Sequence, residues 1–251
     1  MKGFMPLLKK ELKEQIRGYR LVIVAGVFGV LGLSTPFLIK YLPEIIRLTG
    51  QTVPVDTPPA TALTAFREYS ETVAQLGVLV VVLLATGAVS GERSRGTAAM
   101  TLAKPVSRSA FLLAKGVSLS VTLWVSLGLA WALCLLYTRV LFQEGDALSF
   151  LGLNLLLGLF LTLAVAVTLL YSTWLRSQIL IALLSLVSMV GTPALGAMPV
   201  LRDYTPGALI RWGNSLLEVG TSGAWGALAV TLLLIVSCQA LSIRLMRRQE
   251  L

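Results

Sequence analysis

The chain of 251 residues contains no histidine and only two cysteines. Histidine is the commonest general base and the commonest metal ligand in proteins. Its absence excludes the histidine-dependent serine and cysteine triads and the His-Glu-x-x-His zinc motif. Both cysteines, Cys134 and Cys238, lie inside apolar runs, which predicts small core residues. We expect them not to pair, because the topology derived below puts them at different membrane depths.

Charge is also scarce, and a phosphate-binding loop is missing. Only 13% of the residues are charged, about half of the fraction in an ordinary soluble domain. The acidic residues lie in loops or terminal segments, so no carboxylate pair is predicted within an apolar run. No Gly-Lys dipeptide exists, and hence no Walker A loop. We therefore predict no catalytic residue, no cofactor site and no metal site, which disfavours an intramembrane enzyme.

Hydrophobic residues, in contrast, make up 56% of the chain. Several runs reach roughly the 20 residues that cross a bilayer as a helix. The first run follows a basic segment but lacks a small-x-small cleavage site, so it is interpreted as a retained span. The predicted fold is an all-α polytopic membrane protein, a single transmembrane domain over residues 1–251. Its six spans are 21–40, 72–90, 110–137, 148–175, 179–199 and 223–243.

The placement of the charges predicts the orientation. With six spans, both termini share one side, which receives only four carboxylates: Glu11, Glu14, Glu92 and Glu250. The same side receives 15 of the 21 cations: Lys2, Lys9, Lys10, Lys13, Arg17, Arg20, Arg93, Arg95, Lys104, Arg108, Lys115, Arg176, Arg244, Arg247 and Arg248. The positive-inside rule then puts both termini in the cytoplasm, with the chain in the cell membrane. The net charge of +9 needs no nucleic-acid partner.

Residues 1–20 form a basic amphipathic segment. Apolar residues recur at spacings of three and four, and cations follow on a neighbouring face. This pattern predicts an interfacial helix that lies on anionic membrane lipid, whereas a solvated tail that only sets topology is the alternative. The apolar face is Leu8, Leu12, Ile16 and Tyr19, and the basic face is Lys9, Lys13 and Arg17.

Two connections differ from plain loops. Prolines in residues 41–71 predict little regular structure before Thr61, with a helical lead-in from there to the second span. Prolines and glycines also interrupt residues 191–222, yet that region remains apolar. Irregular backbone at membrane depth is tolerated only where protein or a wet cavity surrounds it. We therefore predict a broken, re-entrant extracytoplasmic region of short helices before the last span.

Three further expectations concern the spans themselves. Lys115 lies about one turn inside the third span, so its ammonium is expected to snorkel to the headgroups. No buried ionisable residue is expected at mid-membrane, which argues against coupling to protons or sodium. Ala25 and Gly29 form a small-xxx-small pair, a candidate contact between two copies of the chain.

The polar segment 90–109 separates the second and third spans. Gly91 and Gly96 permit tight turns, Thr97 is placed to cap a short helix, and Pro105 ends it. Ser107 is placed to cap the third span. The segment is therefore predicted to be a short cytoplasmic helix between two spans, with an ordinary basic loop as the alternative.

This segment carries a resemblance to a known family. It contains Glu92-Arg93-Ser94-Arg95-Gly96-Thr97, then Pro105-Val106-Ser107-Arg108, then Lys115. The chain resembles the permease subunits of type-2 ATP-binding-cassette (ABC) exporters in these motifs and in its whole architecture. The resemblance implies a coupling helix that docks into a separate cytoplasmic ATPase, which holds ATP and magnesium. The implied coupling residues are Glu92, Arg93, Arg95, Gly96, Thr97, Pro105, Ser107 and Arg108.

The resemblance also implies an assembly of two permeases, identical or related, with two ATPase subunits. We therefore predict the permease of an ATP-driven exporter. The uncharged spans favour an amphipathic, lipid-like or peptide cargo over a small ion. The residues that contact the cargo are unknown. The alternative is a non-transporting six-span scaffold or anchor whose basic loop binds a soluble partner or anionic lipid.

Overall fold

A computed structural model describes residues 3–48, 60–94, 107–196, 198–218 and 223–248. Within these ranges the chain forms eight helices and no strand. Six of them, α2 to α6 and α8, are long and apolar enough to cross a membrane, which confirms the all-α fold with six spans. The helices are α1 Phe4–Arg17, α2 Arg20–Leu48, α3 Ala62–Ser94, α4 Arg108–Phe142, α5 Ala147–Trp174, α6 Gln178–Leu195, α7 Ala208–Leu216 and α8 Trp225–Arg248.

Two helix starts have side-chain caps that the sequence indicates. The hydroxyl of Ser107 accepts a hydrogen bond from the backbone N–H of Ala110 at the start of α4. The carboxylate of Asp146 accepts from the N–H groups of Leu148 and Ser149 at the start of α5. Each cap satisfies donors that the first turn of a helix leaves unpaired. The predicted cap of the third span is thus confirmed at Ser107.

The first span is longer than predicted. Helix α2 continues through Pro36 and Pro43 to Leu48, so the expectation of little structure from residue 41 onward is wrong for residues 41–48. Residues 49–59 lie outside the described ranges. A proline removes one backbone donor, and the hydrogen bonds on either side of Pro43 continue the helix beyond the roughly 20 residues that cross a bilayer. The predicted lead-in to the second span is confirmed, because α3 begins at Ala62.

Two predicted boundaries also move. Helix α3 extends to Ser94, so Ser90, Gly91 and Glu92 are helical and do not form the predicted turn. Helix α6 ends at Leu195, four residues before the predicted end of the fifth span. The region 191–222 then contains turns and the short helix α7, as predicted; its position relative to a membrane stays a prediction.

The spans pack around α5, the most buried of the six. On one side of the bundle, α2 and α4 approach closely, since a Cβ on Gly32 would lie 2.5 Å from the carbonyl oxygen of Ala130. Gly29 is buried in the same interface and faces Leu133. The expectation that Gly29 contacts a second copy is therefore wrong, because α4 already occupies that face. Cys134 on α4 and Cys238 on α8 are free thiols.

Successive spans run in opposite directions, which gives the bundle two distinct ends. We call one end the basic end; it carries α1, the C-terminal ends of α3 and α8, the start of α4 and the turn at Arg176. We call the other the loop end; it carries the start of α3, the turn between α4 and α5, and α7. The ends of α3 at Glu92 and at Ala62 therefore face different surroundings.

Candidate coupling site

Three helices meet at the basic end around the side chain of Lys115. Its ammonium lies 3.2 and 3.1 Å from the two carboxylate oxygens of Glu11 on α1. It also lies 2.5 Å from Oε1 of Glu92 near the end of α3. Lys115 is 4% and Glu11 6% exposed, and the ammonium sits 5.0 Å from the ring centroid of Phe111. We call Glu11, Glu92 and Lys115 the charge cluster.

The charge cluster corrects one prediction. Lys115 does not snorkel, because α1 covers this side of α4 and brings carboxylates to hydrogen-bond distance of the ammonium. Lys115 is buried near the start of α4, so the expectation of no buried ionisable residue at mid-membrane stays a prediction. A buried charge is stable only when it is paired and hydrogen-bonded. The cluster supplies that pairing from helices far apart in sequence.

Helix α1 presents a different face to the bundle from the predicted one. Its buried residues are Leu7, Glu11 and Gln15, spaced by four. Leu8 and Leu12 are half-buried beside this stripe, and the remaining predicted residues are exposed: Ile16, Tyr19, Lys9, Lys13 and Arg17. Tyr19 lies beyond the end of α1, in a left-handed conformation with φ 56°, so its assignment to the apolar helical face is wrong.

Burial and ion pairing oppose each other at Glu11. Burial raises the pKa of the Glu11 carboxyl, and the neighbouring Lys115 ammonium offsets part of that increase. Glu14 lies on the next turn and pairs with Lys10 at 3.4 Å in an exposed position. Glu11, Glu14 and Glu92 each bring one carboxylate oxygen within 4.8 Å of the others. This end of the bundle therefore holds three carboxylates close together, with Lys115 paired to Glu11 and Glu92 and Lys10 paired to Glu14.

Both flanks of the polar segment are anchored. On the α3 side, the hydroxyl of Ser172 from α5 accepts from the N–H groups of Val89 and Ser90 and donates to the carbonyl of Thr86. On the α4 side, the guanidinium of Arg108 donates to the carbonyl oxygen of Met246 on α8 at 3.0 Å. The chain therefore leaves and re-enters the bundle at two points that α1, α5 and α8 hold in place.

The structure describes only part of the predicted coupling residues. Glu92 belongs to the charge cluster, Ser107 caps α4, and Arg108 contacts α8. Arg93 lies in α3, and its side chain is outside the described part. Arg95, Gly96, Thr97 and Pro105 are in residues 95–106, outside the described ranges.

Sequence reasoning missed Glu11 and Ser172. The spacing of Leu7, Glu11 and Gln15 was a usable signal, because it places one carboxylate on a continuous stripe of α1. Ser172 had no such signal, since a single serine in an apolar span ordinarily bonds to its own helix. Lys115 was noticed, but its partners follow from no local pattern.

An all-helical bundle with six apolar spans defines a multi-pass membrane protein. The charge cluster lies where its polar connection between the second and third spans begins. The profile of the family described as "ABC-2 family transporter protein" matches residues 5–251, and the chain belongs to this family. The chain is also 29% identical over 170 residues to "Uncharacterized transmembrane protein YxlG" of Bacillus subtilis (strain 168). That match covers 65% of this chain and 66% of the relative, just under two thirds.

Membership of this family implies the role of an ABC transporter permease. The family also implies pairing with an ATP-binding subunit.

Proposed function

We propose that this chain is the permease subunit of an ATP-driven exporter for an amphipathic, lipid-like or peptide cargo. A separate cytoplasmic ATPase binds ATP and magnesium and docks on the segment from Glu92 to Arg108. Two permeases, either two copies of this chain or this chain with a related one, work with two ATPase subunits. The complex lies in the plasma membrane, with both termini of this chain in the cytoplasm and α1 against membrane lipid.

The observation that carries this proposal is the charge cluster. A movement of the polar segment reaches the bundle first through its two flanks, Glu92 and Ser107. Lys115 ties Glu92 to both α1 and α4 through charged hydrogen bonds, which are stronger than neutral ones. A push on the segment is therefore transmitted to three helices together, as rigid-body motion requires.

The orientation rests on the distribution of charge. Within the described part of the chain, the basic end holds α1 with its exposed cations Lys9, Lys13 and Arg17. The loop end holds the Arg67–Glu218 pair, in which the charges cancel. The positive-inside rule puts the more basic end in the cytoplasm, where an ATPase has access to residues 95–106.

Affinity purification of the tagged full chain from its native membrane tests the partnership. We expect a nucleotide-binding subunit with a Walker A loop to co-purify. Arg95→Glu reverses one charge in the proposed docking segment and should lower ATPase recovery at least about tenfold, a cost of about 1.4 kcal/mol. Arg176→Glu is the matched control, because it makes the same change in the exposed turn between α5 and α6; recovery should stay at the wild-type level.

Two results would contradict the proposal. If the wild-type chain never recovers a nucleotide-binding subunit, the scaffold or anchor function is favoured instead. If Arg95→Glu and Arg176→Glu reduce recovery equally, the ATPase recognises only the overall charge of this surface. If the Gly96→Pro variant keeps the cellular role of the wild-type chain, that result would also argue against a docking helix of defined conformation.

A further inference from the structure

A groove of about 470 Å³ lies between α4, α5 and α8. Its wall is mostly apolar, and its polar groups are few. Among the lining residues are Val117, Val121, Trp124, Thr162, Ile235 and Gln239. No Asp, Glu, Lys or Arg side chain lines this groove. The lining therefore suits an apolar molecule with a small polar group, rather than an ion.

One polar atom in the groove lacks a partner. The carboxamide oxygen Oε1 of Gln239 is buried and has no hydrogen bond within the described part of the chain. A buried acceptor without a donor destabilises the folded chain. Two hydroxyls also line the groove, those of Ser120 and Thr162, and that of Thr162 already donates to the carbonyl of Gly158 at 2.7 Å. Among the lining residues in the described part of the chain, Gln239 has the buried acceptor without a partner, so it is where the groove would accept a hydrogen bond from an occupant.

Two glycines shape the ends of the groove. A Cβ on Gly116 would lie 3.0 Å from Nε2 of Gln239, so glycine at this position leaves room for the carboxamide. A Cβ on Gly158 would lie 2.5 Å from the indole ring of Trp124, so this glycine lets the ring lie against α5. Gly116 and Trp124 are eight residues apart on α4, about 12 Å along the helix. An extended hydrocarbon segment fits this length.

The groove opens toward the lipid. Val117 and Val125 on its wall are 38% and 51% exposed, and both lie in the interior of the candidate span α4. At that depth the surrounding solvent is hydrocarbon, so an occupant enters from the bilayer. The occupant gains little binding free energy from its apolar body, because the lipid tails that it leaves are equally apolar. The hydrogen bond to Gln239 is what distinguishes a suitable occupant from any other lipid tail.

We propose that this groove is a binding site for an amphiphile dissolved in the bilayer. The occupant has a long apolar body and one hydrogen-bond donor, a hydroxyl or an amide N–H, directed at Oε1 of Gln239. The proposal does not depend on the ATPase partnership, because the lining residues named above belong to neither the charge cluster nor the polar segment.

Photolabelling of the full chain in phosphatidylcholine nanodiscs tests the site, since that lipid carries no donor. The probes are a long-chain fatty alcohol with a diazirine and an alkyne, and its methyl ether, which has the same body and no donor. We expect the alcohol to label peptides around Val117 and Gln239 about three- to tenfold more than the ether does. Gln239→Leu should abolish this preference and keep the fold, because it removes an unpaired polar atom.

A second pair of variants tests the space itself. Val117→Trp fills the groove and should remove labelling by both probes. Leu136→Trp is its matched control on an exposed position of α4 outside the lining, and labelling should be unchanged. Equal labelling of the wild-type chain by alcohol and ether would overturn the proposal. Labelling of the groove that persists in the Val117→Trp variant would also overturn it. The same holds if neither probe labels the peptides around the groove.

Discussion

The two ends of α3 are attached to the bundle by different chemistry. At the basic end, Glu92 shares the buried ammonium of Lys115 with Glu11. At the loop end, the hydroxyl of Tyr69 donates to Oδ1 of Asn154 at 3.0 Å, and that of Ser70 donates to Oδ1 of Asn214 at 2.7 Å. An exposed ion pair between Arg67 and Glu218 adds to the loop end.

The difference predicts how each end responds to change. Removing one member of a buried ion cluster leaves the remaining charges without a partner. The loss in free energy of unfolding is therefore large, and it affects all three helices. Neutral hydrogen bonds are individually modest, so the loop end should weaken in small steps. Helix α3 is 33 residues long, about 50 Å, and joins the two ends directly. A firmly held basic end and a more easily changed loop end suit a helix that transmits motion from one to the other.

The largest effect is expected for Lys115→Met. It leaves the buried Glu11 and the half-buried Glu92 without their shared cation, which should cost about 3–5 kcal/mol. Equilibrium unfolding in mixed micelles measures the loss. Lys40→Met is the control, because Lys40 makes an exposed hydrogen bond to the carbonyl of Leu141 at the loop end; its cost should be under about 1 kcal/mol. If the two variants lose similar amounts of unfolding free energy, the basic end is not held more firmly than the loop end.

A smaller effect is expected for Tyr69→Phe at the loop end. The tyrosine is fully buried, and its loss leaves Oδ1 of Asn154 without this donor, a cost of about 1 kcal/mol. The same unfolding experiment measures it. Tyr204→Phe, at an exposed position between α6 and α7, should be neutral. A cost for Tyr69→Phe as large as that for Lys115→Met would mean that the loop end is equally rigid.

The charge cluster should also make stability depend on pH. Burial raises the pKa of Glu11 in the folded chain, so the folded state binds a proton more readily than the unfolded state. This contribution to stability is present in full below the unfolded pKa and is lost as pH rises through the folded pKa. Glu11→Gln should flatten this part of the pH profile, whereas Glu14→Gln, at an exposed position, removes only a smaller contribution to the raised pKa of Glu11 and should change the profile less. A wild-type profile that rises across that window would contradict the assignment.

The smallest effect is expected for Arg67→Met. Both side chains of the Arg67–Glu218 pair are exposed, and such pairs contribute about 0.2–1 kcal/mol. The difference from wild type should shrink further at high salt, because screening weakens an exposed pair. Unfolding curves at low and high salt check both statements. An effect that persists at high salt would place this pair in a less solvated setting than its exposure indicates.

Local chemistry made much of the fold predictable. Runs of apolar residues long enough for a bilayer identified all six spans, and Ser107 identified the start of α4. The errors came at places where a neighbouring helix decides the outcome. Gly29 contacts α4 instead of a second copy. Glu92 stays in α3, where Lys115 contacts it.

The candidate site was predictable as a segment but not as a set of contacts. The motif around Glu92 and Lys115 could be read from the residues, as could the family resemblance. Glu11 lies 104 residues from Lys115 in sequence, and no local period links the two. The sequence by itself determined the apolar spans, the basic side and the position of the polar segment, because each depends on composition over one short stretch. Only the tertiary structure decided which carboxylates neutralise Lys115 and which glycines open the groove beside Gln239, because those outcomes depend on how separate helices pack.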